Sequence, residues 1–275
     1  MNTFSVTISV YKNDNPRFFI QAMDSIINQT VTPNEIVLTV DGPIPQDLNE
    51  IVIQYENKYN YIKVVRIEKN VGLGIAHQIG VQNSNYDLIA IMDSDDIAVP
   101  DRFEKQLRCF EENMGIDVLG GFIYEFIDTI DTIVAIRAVP LNHVEIIKYL
   151  KKRCPMNHVT AMFKKNAVLK SGNYQDWHFD EDYYLWCRMM LAGCMFKNIS
   201  DVLVYVRVGK DMYERRGGWK YYKSEAQLQK FMLDNKVINF FEYIINVVIR
   251  FIVQVLLPNN IRSFIFKVYF RKRAK

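Results

Sequence analysis

Leu88-Ile89-Ala90-Ile91-Met92-Asp93-Ser94-Asp95-Asp96 is the stretch on which the reading of this chain turns, an unbroken aliphatic run followed at once by clustered carboxylates. A short apolar run that ends in polar turn chemistry predicts a buried strand of a parallel sheet, and ligand sites in open α/β sheets lie outside the carboxyl ends of such strands. Carboxylates crowded at that edge repel one another, and a divalent cation is the simplest partner to relieve them. Asp93 and Asp95 flank a single Ser, so both can face one hard, oxygen-seeking ion that also bridges the oxygens of a diphosphate. Taken alone, the same residues read equally well as a surface turn and helix cap, because Asp is a good N-cap and Pro100-Asp101 looks like a helix start.

Working outward toward the N-terminus, Val6 to Val10 predicts a strand, and Asn15-Pro16 opens a helix with a capping residue followed by Pro at its first position. Phe19, Ala22, Met23, Ile26 and Ile27 then recur as one buried stripe of that helix. A second strand, Ile36 to Val40, ends at Asp41-Gly42-Pro43. A helix with Leu48, Ile51, Val52 and Tyr55 on one face leads to a third strand, Ile62 to Ile67, and Asn70-Val71-Gly72-Leu73-Gly74 opens a short helix through Ala76 and Ile79. The alternation predicts an α/β fold with right-handed crossovers: a Rossmann-like, mostly parallel central sheet flanked by helices, with Tyr11, Asp41, Asn70 and Asp93 at one edge.

With these motifs in this order, the chain resembles the family 2 glycosyltransferases and their nucleotide-binding GT-A fold, particularly the branch that assembles bacterial surface polysaccharides such as O-antigen and capsule. The resemblance extends to about residue 220. Ser9-Val10-Tyr11-Lys12-Asn13 looks like the family's opening strand and turn, Asp41-Gly42 like its second-strand acid, and Asn70 to Ala76 like its Gly-containing stretch. Asp93-Ser94-Asp95-Asp96 stands where the family carries its metal-binding Asp-x-Asp. Many relatives have Ala-Arg-Asn in the third motif; here it is Ala76-His77-Gln78, so no diphosphate-binding cation is assigned there.

The resemblance implies inverting transfer of a hexose, galactose or glucose, from a UDP-sugar to a sugar hydroxyl of an undecaprenyl diphosphate-linked acceptor. Ser9, Tyr11, Asp41, Asn70, Gly72, Gly74, Asp93 and Ser94 would then hold the nucleotide sugar. The base would lie near Tyr11 and Asp41 and the ribose near Asp93, while Asp95, with Asp93 beside it, would hold Mn2+ or Mg2+ on the diphosphate.

In the second half, Phe179-Asp180-Glu181-Asp182 precedes Tyr184, Leu185, Met189 and Ala192 at helical spacing, with Gly193 to end the helix. Carboxylates in a first turn are favoured by the helix dipole for purely structural reasons. The resemblance instead implies that Asp182 takes the proton from the acceptor hydroxyl and that Glu181 orients the base or the acceptor. Repulsion and partial burial lift a carboxyl pKa toward useful base strength. Asp117 to Phe122, Ile133 to Ala138 and Val202 to Val208 read as strands, and Asn142 to Glu145 as a capping box.

Pro155 to Phe163 predicts an apolar strand with polar side chains at alternate positions. Asn157, His158 and Trp177 are candidate acceptor contacts, although a lone His is more often a structural hydrogen-bonding residue. His77, His143, His158 and His178 show no zinc-ligand spacing. Arg215-Arg216 before Gly217-Gly218 reads either as a diphosphate clamp on a closing loop or as a solvated basic loop.

From Val237 to Leu257 the residues are mostly apolar, while Asn239, Glu242, Asn246, Arg250 and Gln254 form a narrow polar stripe at helical spacing. An Arg near the centre of a spanning helix costs at least about 2.5 kcal/mol, which predicts a helix lying in the membrane interface instead. The competing reading is a helix packed on the catalytic domain. Arg262, Lys267, Arg271, Lys272, Arg273 and Lys275 follow, interleaved with aromatics, and suit anionic lipid headgroups better than nucleic acid.

Composition is consistent with this plan. At 275 residues and 49% hydrophobic the chain can bury one substantial core. The net charge of +3 comes largely from the tail, so the body need not bind polyanions. Cys109, Cys154, Cys187 and Cys194 lack a disulfide or zinc pattern and suggest a reducing cytoplasm, and a strand starting almost at once leaves no room for a signal peptide. The expected organisation is a catalytic domain over residues 1–218, with a nucleotide-sugar half at 1–100 and an acceptor half at 101–218. A membrane-associating helical segment at 219–275 would place the protein peripherally on the cytoplasmic face of the cell membrane. Two other readings compete: a nucleotidyltransferase acting on a sugar phosphate, against which no Gly-rich basic loop follows the first strand, and a noncatalytic membrane-recruitment protein.

Overall fold

The computed structural model describes residues 3–209, 217–258 and 261–262. The first half alternates as expected: β1 (Phe4–Tyr11), α1 (Pro16–Ile27), β2 (Glu35–Asp41), α2 (Gln46–Lys58), β3 (Ile62–Ile67), α3 (Leu73–Asn83) and β4 (Leu88–Met92). The strands run parallel in the order β3-β2-β1-β4, with Tyr11 beside Asp41 and Ile8 beside Met92. Both β2 and β4 are buried along their whole length, as strands covered on both faces must be. Along β4 the residues alternate between two cores: Leu88, Ala90 and Met92 join the first, Ile89 and Ile91 the second. The Asn15 side chain accepts the Arg17 N–H to start α1, Pro16 sits in its first turn, and the helix buries the five residues of the predicted stripe.

Beyond β4 the sheet is mixed. β5 (Ile97–Ala98), α4 (Arg102–Glu112), β6 (Val118–Phe126), β7 (Ile133–Arg137), α5 (His143–Leu150), β8 (Met162–Lys164), α6 (Lys165–Lys170), α7 (Glu181–Leu191) and β9 (Phe196–Arg207) follow along the chain. The sheet continues as β4-β8-β6-β9-β5, with β7 on β6. Only β6 and β9 are parallel here; β4–β8, β8–β6, β9–β5 and β6–β7 are antiparallel. The mostly parallel sheet is therefore a property of the first half.

Two local expectations are corrected. Pro155 to Phe163 is not one strand: His158 to Thr160 form a 3-10 turn and the strand is only Met162–Lys164. Thr160 Oγ1 donates to the Asn157 carbonyl at 2.7 Å and accepts the Gly121 N–H at 3.0 Å, a local side-chain pairing that replaces a ladder. The buried side of α7 is broader than the predicted stripe: Tyr183, Leu185, Trp186, Cys187 and Met189 are buried because the helix lies within the second core, while Ala192 is its exposed C-cap.

The C-terminal segment is two helices, α8 (Trp219–Asp234) and α9 (Phe240–Phe251), with a wide π-helical turn over Ile252–Leu256. Leu228, Met232, Val237 and Ile238 enter the second core. A capping box between Asn239 and Glu242 starts α9 later than the apolar run suggested. Its polar stripe faces the body of the molecule. Asn246 donates to the Lys151 carbonyl at 2.9 Å and to Gln229 at 2.8 Å, and Arg250 donates to the Lys152 carbonyl at 2.8 Å and pairs with Glu225 at 2.9 Å. Gln254 also bonds Glu225. Phe240, Phe241, Ile245, Val248, Ile249 and Leu256 are left exposed. Among the described residues no helix is long and apolar enough to cross a membrane. Lys267, Arg271, Lys272, Arg273 and Lys275 lie outside the described residues.

Candidate active site

At the end of β4 the chain turns through Asp93 and Ser94, and its three acids meet different surroundings. Asp95 is exposed, whereas Asp96 is buried and accepts the Arg207 N–H at 2.8 Å. Burial, with the charges of Asp95 and Asp93 added to it, holds the Asp96 carboxyl well above its usual range. Burial also pushes Asp93 up to about 7, helped by the Asp95 and Asp182 charges and opposed by Arg102. Asp14, in the turn after β1, is pushed up to about 6 by burial, and its carboxylate accepts the Tyr11 N–H at 3.0 Å and the Ser94 hydroxyl at 2.9 Å. Asp14, Asp93 and Asp95 thus present an oxygen-only donor set whose negative charge Arg102 and Arg207 offset only in part. That is the chemistry a hard divalent cation such as Mg2+ or Mn2+ takes, so these residues fit one.

Arg102 sits behind this edge. Its guanidinium is fully buried, donating to the Ile91 carbonyl at 2.7 Å and to Gln106 at 3.1 Å. Burial lowers its pKa to about 9 against the opposing pull of Asp93 and Asp96. Arg207 closes the same loop from β9: it donates to the Asp95 carbonyl at 3.1 Å and lies over the ring of Phe18 at 3.8 Å.

On the nucleotide side, Tyr11 is 40% exposed at the end of β1, and Ser9 is half-buried two residues before it. Asp41 is buried, and its oxygens accept the Asn70 side-chain amide at 2.8 Å, the Val71 N–H at 2.7 Å and the Gly72 N–H at 3.1 Å. Asp41 and Asn70 therefore shape the loop that leads into α3. Gly72 has φ +88°, a region that favours glycine. Gly74 is required for a different reason, since a Cβ there would lie 2.7 Å from the Gln175 carbonyl oxygen and 3.2 Å from the Glu181 Cβ. That close approach brings the Gly loop against the segment carrying the second acid pair.

Glu181 and Asp182 open α7 across from Asp93. Burial pushes Glu181 up to about 8, with further lift from the Asp182 and Asp93 charges. One Asp182 oxygen accepts the Tyr183 N–H at 2.7 Å, and the other faces the Cys154 thiol at 3.5 Å. Asp180, one residue earlier, is buried and accepts the Ser224 hydroxyl at 3.1 Å, which ties the start of α7 to α8. The Asp182 charge raises both Asp93 and Glu181, and the Asp93 charge raises Glu181 as well, so the two acid pairs lie near one another.

The acceptor candidates are placed differently from one another. Asn157 is buried and its amide donates to the Gly121 carbonyl at 2.8 Å and the Arg137 carbonyl at 3.3 Å, so it holds the sheet together behind the cleft. His158 is half-buried, with Nε2 2.9 Å from the Tyr174 hydroxyl. Trp177 packs on Tyr184 at 4.2 Å between ring centres, and its buried ring N–H has no hydrogen-bond partner among the described residues. Arg215 and Arg216 lie outside the described residues. Asp14, Arg102, Cys154, Tyr174 and Arg207 escaped the sequence reading. Arg102 carried a signal: a cation in the first turn of a helix opposes the dipole, so something else must require it.

The profile of Glycosyl transferase family 2 matches residues 5–172. The chain belongs to this family. A glycosyltransferase of unassigned activity from Haemophilus influenzae is 39% identical over 98% of this chain and 99% of its own length. The UDP-Gal:alpha-D-GlcNAc-diphosphoundecaprenol beta-1,3-galactosyltransferase of Escherichia coli is 36% identical over 98% of this chain and 97% of its own. The amylovoran biosynthesis glycosyltransferase AmsE of Erwinia amylovora is 34% identical over 96% and 98%. Among solved structures, the Staphylococcus aureus TarS fragment 1-349 in complex with UDP-GlcNAc superposes with a TM-score of 0.67 at 17% identity, covering 97% of this chain and 76% of that one. The mannosyltransferase PcManGT of Pyrobaculum calidifontis, in complex with GDP-Man and Mn2+, superposes with a TM-score of 0.63 at 12% identity, covering 85% and 64%. The family 2 chain has the GT-A fold, and it is a glycosyltransferase.

Proposed function

We propose that this glycosyltransferase transfers galactose or glucose, with inversion, from a UDP-sugar to a sugar hydroxyl of an undecaprenyl diphosphate-linked acceptor in surface-polysaccharide assembly. The observation that carries the reading is the proximity of two acid pairs, Asp93 with Asp95 at the end of β4 and Glu181 with Asp182 at the start of α7, close enough for their charges to act on one another. The donor class and the lipid-linked acceptor are supported by the name of the Escherichia coli relative, which is similar over nearly its whole length.

In this reading Tyr11 packs against the base, the loop of Asn70, Gly72 and Gly74 that Asp41 braces borders the nucleotide, and Arg215 and Arg216 clamp the diphosphate. Mn2+ or Mg2+ held by Asp95 and Asp93 would supply charge stabilisation for the departing diphosphate. Asp182 accepts the proton of the attacking hydroxyl, and Glu181 hydrogen-bonds the acceptor in its protonated form. Attack from the Asp182 side, opposite the diphosphate, inverts the anomeric centre. His158 and Trp177 line the acceptor side.

The exposed apolar face of α9 supports a peripheral position on the inner face of the cell membrane, because the inward polar stripe leaves only apolar side chains for a bilayer. The test is transfer from UDP-galactose and UDP-glucose to a synthetic lipid-linked GlcNAc diphosphate, with and without chelator, and NMR of the product linkage. Chelator-sensitive transfer with inversion is expected. Undiminished transfer in chelator, or retention, refutes the metal or the base assignment respectively.

A further inference from the structure

We infer that His77, His158 and Asp93 form a second cation site, taking a divalent transition-metal ion on two imidazole nitrogens and one carboxylate oxygen. His77 comes from α3, Asp93 from the end of β4 and His158 from the 3-10 turn before β8. Each offers one ligand atom, and these atoms all lie within 4.8 Å of one another. Ligands about 2.1 Å from a shared ion stand about 3.4 to 4.2 Å apart, so small side-chain rotations close the site.

The second observation is His77 itself. It is 1% exposed, and neither ring nitrogen has a hydrogen-bond partner among the described residues. A buried imidazole left with both nitrogens unpaired is costly, and a ligand that takes one lone pair removes part of that cost. The ring lies edge-on to His158, 5.0 Å between centres, and Tyr174 packs against both rings, 5.3 Å from His77 and 5.7 Å from His158. His158 Nε2 is 2.9 Å from the Tyr174 hydroxyl, an outer contact of the kind that orients a metal-binding imidazole; when Nε2 donates to that hydroxyl, Nδ1 keeps its lone pair for an ion. Burial keeps both rings neutral, the form that ligates metals.

The surrounding charges are Arg102, which opposes a cation, and Asp95, Asp182 and Asp14, which act on Asp93 together and favour one. Two nitrogens and one oxygen suit Zn2+ or Co2+ and disfavour Mg2+ and Ca2+, which take all-oxygen sets. A metal here would staple the Gly-loop helix to the acceptor half through the edge that carries Asp93. The site shares Asp93 with the proposed donor metal but needs no nucleotide and does not rest on Asp95.

The test uses the full-length chain, stripped with chelator and titrated with Co2+ in the absence of nucleotide. Proton NMR should show one bound Co2+ per chain with strongly shifted, exchangeable imidazole N–H signals. His77→Gln and His158→Gln should each lose those signals, while Asp95→Asn should keep them although it loses the UDP-dependent metal. His143 and His178 lie elsewhere and stay unshifted. Co2+ that binds the wild-type chain without shifted imidazole signals, or that binds only with UDP, overturns the proposal. The wild-type spectrum decides even if a variant fails to fold, and failure of UDP-sugar transfer leaves this result unaffected.

Discussion

The two acid pairs are chemically alike and each holds one carboxyl raised by burial, Asp93 and Glu181, so the contrast between them lies in Asp95 against Glu181. Asp95 stands exposed at the end of β4, with a carbonyl held by Arg207 and Asp14 nearby, where an oxygen-seeking ion can reach it. Glu181 sits nearly buried at the start of α7 and is pushed up to about 8, where it holds a proton near neutral pH. The difference teaches a division of labour: an exposed carboxylate such as Asp95 is neutralised most easily by a cation, and a buried one such as Glu181 by a proton.

Asp182→Asn gives the largest expected effect, because the amide keeps the shape but cannot accept a proton. Transfer to an intact lipid-linked acceptor should fall about 10²- to 10⁴-fold with UDP affinity unchanged. Near wild-type turnover would move the base to Glu181 and erase the contrast.

Gly74→Ala tests the close approach that holds the Gly loop against the second pair. Its Cβ would meet the Gln175 carbonyl oxygen at 2.7 Å, and backbone cannot yield cheaply. A loss of about 1–3 kcal/mol in urea unfolding is expected. An unchanged midpoint would show that the two walls are not in contact there.

Stability against pH sharpens the comparison further. The folded value of Glu181, about 8, lies above its ordinary 4.5, so between those values the folded chain keeps a proton that the unfolded chain releases. Stability from this group is complete below pH 4.5 and declines as pH rises toward 8. Glu181→Gln should flatten the decline measured by urea midpoints across that window. An equal slope in the variant would place the buried proton on another group.

The smallest effect concerns α9. Ile245→Glu with Val248→Glu places two charges on its exposed apolar face, and flotation on both neutral and anionic liposomes should weaken without loss of fold by circular dichroism. Equal flotation would assign the face to another partner.

The first half of the fold was legible because its strands and helices keep an uninterrupted period: the five buried residues of α1 and the fully buried β4 follow directly from the pattern. The second half was less so. Asn157 and Thr160 spend their side chains on nearby backbone, which turns an apparent strand into a 3-10 turn. An amphipathic pattern gives a helix two faces without saying which one docks, and α9 docks through the polar one. Asp41 was visible as an acid at a strand end, but its use as a brace depends on where Asn70 and Gly72 fall in space. The same holds for His77 and His158, which meet across elements far apart in the chain and so show no ligand spacing.

The division of labour is tested most directly by calorimetry of UDP with Mn2+ on Asp95→Ala and Asp182→Asn side by side. The account predicts that Asp95→Ala loses metal-supported UDP binding while Asp182→Asn binds as the wild type does. Wild-type affinity in Asp95→Ala, or an equal loss in both variants, would contradict it.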